Sequence, residues 1–330
     1  MTDRDDELDD EVAPGRELDV EAMLSGGDDL PEGHRSGIVC LAGRPNVGKS
    51  TLLNAMVGDK IAIVTSVPGT TRNTIRGVLT REDLQLVFID TPGLVKPRVL
   101  LNRRLNDLVR ETWRSVDVIC FMVDADAGIG RGDEYLAAEI AEAGVPAICV
   151  VNKIDRVGKD AMIPALVAAE ELADCAEIDP TSAATGENVG HLVDVLADYV
   201  PEGPQLFPPD MLTDQPERRL VSEIIREKYL TRVLEEVPHS IAVVVEEMTY
   251  EEPDDEDAPG LTRIYARIFV ERDSQKGIVI GRGGSLLKKA NTLARRELEG
   301  LLGTKVFLDV HVKVAPDWQT DPKYLERFGY

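Results

Sequence analysis

A glycine-containing segment around residue 45 has the residue types and spacing needed to hold phosphate groups. It reads Gly43-Arg44-Pro45-Asn46-Val47-Gly48-Lys49-Ser50-Thr51 and satisfies the pattern G-x-x-x-x-G-K-[ST]. The two glycines permit a tight turn in which successive backbone N–H groups point at phosphate oxygens. We expect the Lys49 ammonium to bridge the outer phosphates and the Ser50 hydroxyl to bind Mg²⁺. The segment therefore predicts a nucleotide site in which Lys49 is a catalytic residue.

A second short motif, Asp90-Thr91-Pro92-Gly93, follows an apolar run. A carboxylate at the end of a strand is well placed to hold the Mg²⁺ shell, so Asp90 is predicted to be a metal residue together with Ser50. The bare backbone N–H of Gly93 is predicted to contact the terminal phosphate, which makes Gly93 a catalytic candidate. Leu94 comes next and is included in the predicted nucleotide-binding segment.

Two threonines, Thr70 and Thr71, lie between these motifs in a segment without apolar periodicity. One of them is expected to close over Mg²⁺ when the third phosphate is present and to release afterwards. Both are catalytic candidates. We name Thr71 as the metal residue, although the sequence alone does not choose between the two.

The motif Asn152-Lys153-Ile154-Asp155 indicates which base the site accepts. The Asp155 carboxylate can accept hydrogen bonds from both the ring N–H and the exocyclic amine of guanine. Adenine has no such donor pair and leaves the carboxylate unpaired, which costs about 1–3 kcal/mol. Asn152 is expected to bond the base and brace the loop, while the Lys153 stem lies along the ring. Further on, Ser182-Ala183 is predicted to offer another backbone N–H to the base.

Short apolar strands alternate with helical stretches between about residues 36 and 203, and the phosphate motif lies at a strand–loop–helix junction. This alternation is typical of an α/β domain with an open, mostly parallel sheet. The predicted strands are 37–42, 84–90, 116–123, 147–152 and 176–180, and the predicted helices lie near 50–57, 98–115, 132–143, 159–174 and 187–199. Segment 74–80 runs into strand 84–90 through a short turn, which predicts a hairpin and one antiparallel edge strand.

Four prolines within 200–209 and the absence of a helical period predict a linker at 204–216. It separates a domain at 36–203 from a smaller α+β domain at 217–330, with the predicted order α-β-β-α-α-β. The predicted helices of the second domain are 222–236, 276–280 and 285–302, its strands are 241–248, 263–270 and 305–314, and an acidic loop lies at 251–257.

The second domain contains a glycine-rich turn, Gly281-Arg282-Gly283-Gly284, between two predicted helices. Such a turn lets the protein backbone approach a nucleic-acid backbone closely. Within 272–296, seven basic residues stand against only one acidic residue, Asp273. They are Arg272, Lys276, Arg282, Lys288, Lys289, Arg295 and Arg296. This local reversal of charge predicts an RNA-binding surface formed by Lys276, the turn, Lys288 and Lys289.

The composition of the chain argues against several other classes of protein. The 330 residues carry a formal net charge of −23, and the hydrophobic fraction of 43% is enough for ordinary cores. Residues 1–33 hold thirteen Asp or Glu against Arg4 and Arg16, so 1–35 is predicted to be a disordered acidic extension, with a solubilising role as the simplest interpretation. The four cysteines lack metal-ligand spacing. Neither a signal-peptide pattern nor an 18-residue apolar stretch is present, so we expect a cytoplasmic protein.

The nucleotide motifs resemble those of the translation-factor-related GTPases, and the whole arrangement resembles the bacterial Era family. Members of that family join G-R-P-N-V-G-K-S-T, a T-T-R switch, D-T-P-G-L and N-K-x-D to a C-terminal type 2 KH domain. In this chain the KH signature is Val279-Ile280-Gly281-Arg282-Gly283-Gly284, and the match covers about residues 37–330. The resemblance implies a P-loop GTPase domain followed by an α+β type 2 KH domain.

The same resemblance implies chemistry and partners. Leu94 stands where Ras-like proteins carry a water-orienting glutamine, which implies slow intrinsic hydrolysis of GTP to GDP and phosphate. Asn46 matches an asparagine that helps hold K⁺ in related GTPases, so the implied cofactors are GTP or GDP, Mg²⁺ and K⁺. The implied partners are small-subunit (16S) ribosomal RNA and the pre-30S subunit, whose assembly a monomeric switch would assist. Between its glycines the family usually has a basic or polar pair, whereas this chain has Arg282-Gly283.

Two other interpretations remain open at this stage. One is an RNA-binding chaperone with little hydrolysis, against which the intact Lys49, Ser50, Asp90 and Asp155 argue. The other is a signalling GTPase held peripherally at the inner face of the cell membrane, as the resemblance to some family members suggests. The acidic extension disfavours that interpretation because anionic lipid repels it.

Overall fold

The computed structural model describes residues 30–94, 99–233, 237–253 and 259–330. A six-stranded sheet organises the first half. Its strands are β1 (Arg35–Gly43), β2 (Ile75–Thr80), β3 (Leu84–Asp90), β4 (Val118–Asp124), β5 (Ala147–Asn152) and β6 (Glu177–Thr181). They lie in the order β2-β3-β1-β4-β5-β6, and only β2 is antiparallel to its neighbour. The predicted, mostly parallel sheet with one antiparallel edge strand is confirmed.

Helices cover both faces of this sheet. They are α1 (Lys49–Val57), α2 (Leu100–Trp113), α3 (Arg131–Ala141), α4 (Lys159–Leu172) and α5 (Val189–Ala197). One face packs Leu52, Leu86 and Leu192 into a core, and the other packs Trp113 and Phe121. Because β3 is covered on both sides, each of its residues is buried, as expected for an interior strand of a parallel sheet.

The three nucleotide motifs follow the carboxyl ends of parallel strands. Strand β1 ends at Gly43, β3 at Asp90 and β5 at Asn152. These ends lie along the same edge of the sheet, where ligands of open α/β sheets bind. The sheet therefore brings together loops that are far apart in sequence.

The predicted linker is held against the exposed edge of the sheet. The backbone N–H of Val78 in β2 donates to the carbonyl of Leu212 at 2.9 Å, and the Thr213 hydroxyl donates to the Arg76 carbonyl at 2.7 Å. The side chains of Arg76 and Asp214 form an ion pair at 2.5 Å. Bonding the linker to β2 satisfies backbone groups that an edge strand otherwise leaves unpaired.

Within the described residues, the second half consists of a three-stranded sheet and five α-helices. The strands are β7 (Ala242–Glu251), β8 (Leu261–Val270) and β9 (Lys305–Val314), and the helices are α6 (Glu217–Leu230), α7 (Val237–Ser240), α8 (Asp273–Ile280), α9 (Ser285–Leu302) and α10 (Pro322–Arg327). Strand β8 lies in the centre, antiparallel to β7 and parallel to β9. Tyr229, Val279 and Leu298 are buried in the core between helices and sheet.

Several predicted boundaries in the chain are wrong. The helix predicted at 222–236 spans Glu217–Leu230, because it starts directly after Pro216 with a charged turn that gives no apolar pattern. The strand predicted at 116–123 begins at Val118, and helices α7 and α10 were not predicted. Residues 234–236, most of the acidic extension and part of the loop 251–257 lie outside the described residues.

Apolar side chains from the two halves pack against each other. Leu101 and Leu105 of α2 share a buried cluster with Phe269 and Trp318. Ile63, from the first half, is buried in the core of the second. The segment after α1 and the first turns of α2 are therefore in direct contact with the second half.

Candidate functional site

The phosphate loop turns sharply at its second glycine. Gly48 has φ +109°, in the left-handed region, and the backbone N–H of Leu52 donates to its carbonyl at 2.8 Å to start α1. A Cβ at Gly48 would lie 2.3 Å from Nδ2 of Asn152. Both the backbone conformation and the available space therefore require glycine at this position.

The side chain of Lys49 is buried and lies inside the loop. Its Nζ donates to the carbonyls of Gly43 at 3.1 Å and Arg44 at 3.4 Å. Burial lowers the pKa of the Lys49 ammonium, and the nearby Asp90 carboxylate partly opposes this effect. A buried ammonium among inward-facing backbone groups is suited to meet anionic phosphate oxygens.

The three predicted metal residues meet beside α1. Ser50 Oγ donates to Asp90 Oδ2 at 2.5 Å and lies 3.3 Å from Thr71 Oγ1. Burial raises the pKa of the Asp90 carboxyl, while Lys49 lowers it to a smaller extent. Asp90 Oδ1 is buried and has no hydrogen-bond partner among the described residues. A carboxylate oxygen in this state beside two hydroxyls is an oxygen donor set that fits Mg²⁺.

The two threonines are placed differently. Thr70 is buried, and its hydroxyl lies 2.6 Å from Thr65 Oγ1 and donates to the Val67 carbonyl at 2.6 Å, within its own loop. Thr71 is the one whose hydroxyl lies beside Ser50. The geometry therefore favours Thr71 over Thr70 as the residue near the metal site.

The predicted base-recognition loop is braced against the phosphate loop. Asn152 Nδ2 donates to the Val47 carbonyl at 2.8 Å, and Asn152 Oδ1 accepts from the Ala183 N–H at 3.0 Å. Asp155 is exposed, and its Oδ1 accepts from the Ser182 hydroxyl at 2.6 Å. The Ala183 N–H predicted for the base is thus bonded to Asn152 here.

Lys153 connects the two loops on the outer side. Its Nζ donates to the Asn46 carbonyl at 2.7 Å and to Asp124 Oδ2 at 2.5 Å. This ion pair and two backbone hydrogen bonds outweigh burial and lower the pKa of Asp124. Sequence reasoning missed Asp124, although its position at the end of β4, paired with Asn152 of β5, was a usable signal.

A cavity of about 380 Å³ lies between these loops. Its lining includes Gly48, Lys49, Ser50, Thr71, Gly93 and Lys153. The loop 63–67 forms the opposite wall. Lys49, Ser50, Thr71 and Gly93 therefore surround one space of the size expected for a small-molecule site, whereas the predicted Asp90 and Asp155 are not part of its lining.

The remaining residues of the predicted nucleotide segments have local roles. The Arg44 side chain points away from the cavity and pairs with Asp133 at 2.8 Å. The Thr91 hydroxyl donates to the Leu41 carbonyl of β1, Leu94 packs on apolar neighbours, and Ile154 is buried. The exposed Asn46 side chain donates to the Ser66 carbonyl at 2.7 Å.

The glycine-rich turn of the second half lies between α8 and α9. Gly281 has φ +74°, and a Cβ there would lie 2.9 Å from the backbone nitrogen of Leu286, so the turn is close-packed. Side chains of Arg282, Lys288 and Lys289 are exposed, and none of them lies within ion-pair distance of a described carboxylate. Lys276 is half-buried. The turn therefore presents an unpaired positive surface.

Comparison with known proteins finds one family model in each half of the chain. A family model described as 50S ribosome-binding GTPase matches residues 38–153, and a KH domain model matches residues 236–319. GTPase Era of Mycolicibacterium paratuberculosis is 52% identical over 299 residues, which are 90% of this chain and 99% of that protein. The chain belongs to the Era family of GTPases. Era of Mycobacterium tuberculosis is 51% identical over 300 residues, with 89% and 98% covered.

Solved structures of Era have the same fold. Era in complex with MgGDPNP and nucleotides 1506–1542 of 16S ribosomal RNA matches with a TM-score of 0.84 at 39% identity, over 90% of this chain and 99% of that one. Aquifex aeolicus Era bound to GDP and AlF4⁻ gives the same values. The P-loop GTPase domain with a C-terminal KH domain is confirmed, and this Era-family chain is a GTP-hydrolysing enzyme.

Two arginines at the contact between the halves had no predicted role. Arg72 follows the threonine pair, and Arg226 lies on α6; both are buried. The T-T-R motif marks Arg72, but no sequence pattern reveals where its side chain goes. No helix in the described part of the chain is long and apolar enough to cross a membrane.

Proposed function

We propose that this Era-family GTPase is a switch that binds small-subunit (16S) ribosomal RNA and assists assembly of the 30S subunit. The observation that carries the proposal is a group of exposed cations, Arg282, Lys288 and Lys289, none of which pairs with a described carboxylate, in a chain that also holds the predicted guanine-nucleotide site. A relative with the same overall fold binds nucleotides 1506–1542 of 16S ribosomal RNA. We assign 36–203 to the GTPase domain, 204–216 to the linker and 217–330 to the KH domain.

The nucleotide assignments rest on the cluster around Asp90. Ser50, Thr71 and Asp90 would hold Mg²⁺, and the unpaired Asp90 Oδ1 supports this. When bound, the metal would neutralise charge that develops on the transferred phosphate. Lys49 would hold the outer phosphates, and the Gly93 N–H would contact the terminal one.

Guanine selection is assigned to the Asp155 carboxylate. Its exposed position at the end of the β5 loop, oriented by the Ser182 hydroxyl, suits hydrogen bonds from the ring N–H and the exocyclic amine. Asn152 would act mainly by joining this loop to Val47 of the phosphate loop. A rigid pair of loops binds nucleotide with a smaller ordering cost.

A role for K⁺ beside Asn46 is a further part of the proposal. Asn46 lines the cavity, and its side chain carries an amide oxygen that can meet a cation. If K⁺ contributes, GTP hydrolysis in potassium buffer should exceed that in sodium buffer, and equal rates would remove K⁺ from the proposal.

RNA recognition is assigned to the turn Gly281-Arg282-Gly283-Gly284 with Lys276, Lys288 and Lys289. The exposed cations would contact phosphates, and the glycines would allow close approach. GTP would favour an RNA-competent arrangement of the two domains, and by linkage RNA would raise GTP affinity by the same factor. Because the proposed partner is ribosomal, we expect a cytoplasmic monomer.

The decisive experiment is crosslinking of the full chain to total cellular RNA in the presence of a non-hydrolysable GTP analogue or of GDP. We expect enrichment of the 3′ region of small-subunit RNA with the analogue and less with GDP. A Lys289→Ala/Lys288→Ala variant is the RNA-side control, and Lys49→Ala is the nucleotide-side control. Random RNA recovery in both nucleotide states would refute the proposal. Co-sedimentation with anionic vesicles instead would favour the membrane-associated alternative.

A further inference from the structure

The residue after the two threonines extends its side chain into the KH half. Arg72 is 5% exposed. Its guanidinium donates to the carbonyls of Ile241 and His239 at 2.8 Å each, and lies 5.5 Å from the centre of the Trp318 ring and 5.8 Å from that of Tyr330. A planar fork with several donors can bond two carbonyls and contact aromatic rings at the same time, and an ammonium does so less well. The loop is therefore anchored in the KH half on the C-terminal side of Thr71.

A second arginine reaches the same loop from the KH half. Arg226 of α6 is 1% exposed and donates to the backbone carbonyl of Thr70. Glu223, nearly one turn earlier on the helix, accepts from the Arg226 guanidinium at 2.9 and 2.6 Å and orients it. The loop is therefore also anchored on the N-terminal side of Thr71.

Thr71 lies between these two anchors. Its chain neighbours, Thr70 and Arg72, each take part in a buried hydrogen bond to the KH half, while its own hydroxyl lies 3.3 Å from Ser50 Oγ. Withdrawal of the loop would break the buried hydrogen bonds from Arg72 to the Ile241 carbonyl and from Arg226 to the Thr70 carbonyl, and buried polar groups that lose a partner are costly. The position of Thr71 is thus tied to the docking of the KH half.

We infer that Arg72 and Arg226, here called the arginine pair, are positioning residues for GTP hydrolysis. They hold Thr71 at the metal site while the KH domain is docked, so the KH domain completes a nucleotide site that lies in the other domain. This inference rests on the proposed assignment of Thr71 to Mg²⁺. It names the residues that connect the KH half to Thr71, and it predicts that they control kcat and the Mg²⁺ requirement.

The test is GTP hydrolysis by the full chain, measured over a series of Mg²⁺ concentrations, for Arg72→Ala and Arg226→Ala. We expect kcat to fall about tenfold and the half-saturating Mg²⁺ concentration to rise by a similar factor, which corresponds to a moderate coupling between sites. GDP affinity should stay unchanged, because the contacts expected from Lys49 and Asp155 do not involve the loop. Arg226→Lys keeps one donor for the Thr70 carbonyl and should recover most of the rate.

A matched control separates loop positioning from general loss of domain contact. Lys60 of the first half pairs with Glu227 at 2.9 Å and Glu297 at 2.6 Å of the KH half, and Lys228 pairs with both carboxylates as well. Glu227 also accepts from the Val64 N–H at 3.1 Å, and its pairing with Lys228 does not depend on Lys60. Lys60→Ala should therefore leave the Mg²⁺ requirement within about twofold of the parent, since Lys228 remains as a partner of both Glu227 and Glu297. A change as large as that of Arg72→Ala would refute the inference.

Thr71→Ala distinguishes failure of the inference from failure of the proposed function. If Thr71→Ala leaves the Mg²⁺ requirement unchanged, the metal assignment of Thr71 is wrong. Thermal unfolding should first show that both arginine variants are folded. If Thr71→Ala then raises the Mg²⁺ requirement while both arginine variants leave it unchanged, the arginine pair is a structural contact only and the inference is wrong.

Discussion

Replacing Gly48 by alanine should damage nucleotide binding far more than the same change at the other end of the helix. Gly48 precedes α1 and Gly58 follows it, and both have positive φ, +109° and +85°. A Cβ at Gly48 would lie 2.3 Å from Nδ2 of Asn152, whereas a Cβ at Gly58 meets nothing within 4 Å. Both substitutions therefore strain the backbone, but only the alanine at position 48 collides with Asn152.

The size of the difference follows from the hydrogen bond that the collision breaks. Left-handed backbone costs an alanine about 1–2 kcal/mol at either glycine. At Gly48, Asn152 must also move away from the Val47 carbonyl, to which it donates at 2.8 Å. Leaving such buried groups unpaired costs about 1–3 kcal/mol more. Under our proposal, in which the joined loops bind the nucleotide, this second part should lower GTP affinity by about 5- to 150-fold.

Titration calorimetry with GDP and GTP and thermal unfolding of the nucleotide-free protein measure both effects. We expect Gly58→Ala to lower the melting temperature while binding nucleotide within about twofold of the parent, since its cost is conformational. Gly48→Ala should lose affinity for both nucleotides equally, because Asn152 does not contact the third phosphate. Equal affinities of the two variants would show that the contact between Asn152 and the phosphate loop does not support binding.

Three further predictions concern the base, the RNA surface and the cysteines. Asp155→Asn should weaken GTP binding about 100-fold and improve binding of xanthosine triphosphate, because the amide donates a hydrogen bond where the carboxylate accepted one. If competition calorimetry finds that the variant still prefers GTP as the parent does, Asp155 does not contact the base. Lys288→Ala combined with Lys289→Ala should reduce the slope of log affinity for single-stranded RNA against log salt by about 1.4, and an unchanged slope would place the RNA elsewhere. The half-buried Cys175 accepts a hydrogen bond from the Cys149 thiol, which lowers the pKa of Cys175 below the ordinary 9.0. Iodoacetamide should therefore modify Cys175 at a lower pH than it modifies an ordinary cysteine. Burial raises the pKa of the Cys40 thiol to about 12, so peptide mass spectrometry should find Cys40 unmodified at pH 8 until the protein unfolds.

The nucleotide motifs could be located from the sequence because each is a local pattern at a strand end. The order of residues fixes which side chains follow β1, β3 and β5, and parallel strands then place them at one edge. The choice between Thr70 and Thr71 needed the structure, since the two neighbours differ only in the direction of a hydroxyl.

Features that depend on contact between the two halves could not be predicted. Arg226 lies on an amphipathic helix like any other basic residue, and its buried carbonyl partner is 156 residues away. The start of α6 was also missed, because its first turn, Glu217-Arg218-Arg219, carries no apolar residue and Pro216 alone marks the boundary. A hydrophobic period in the sequence indicates which face of a helix or strand is buried, but it does not indicate which residue of another element that face contacts.

The bonding of the linker to β2 limits how the KH domain can move. Strand β2 begins at Ile75, soon after Thr71. The linker is bonded to this strand through Leu212 and, at its far end, through Asp214. Only Gln215 and Pro216 then separate this attachment from α6, the Gln215 N–H donates to the Thr213 hydroxyl at 3.2 Å, and the proline ring fixes its own backbone angle φ. Any reorientation of the KH domain must therefore take place at a hinge close to β2, the strand that begins four residues after Thr71.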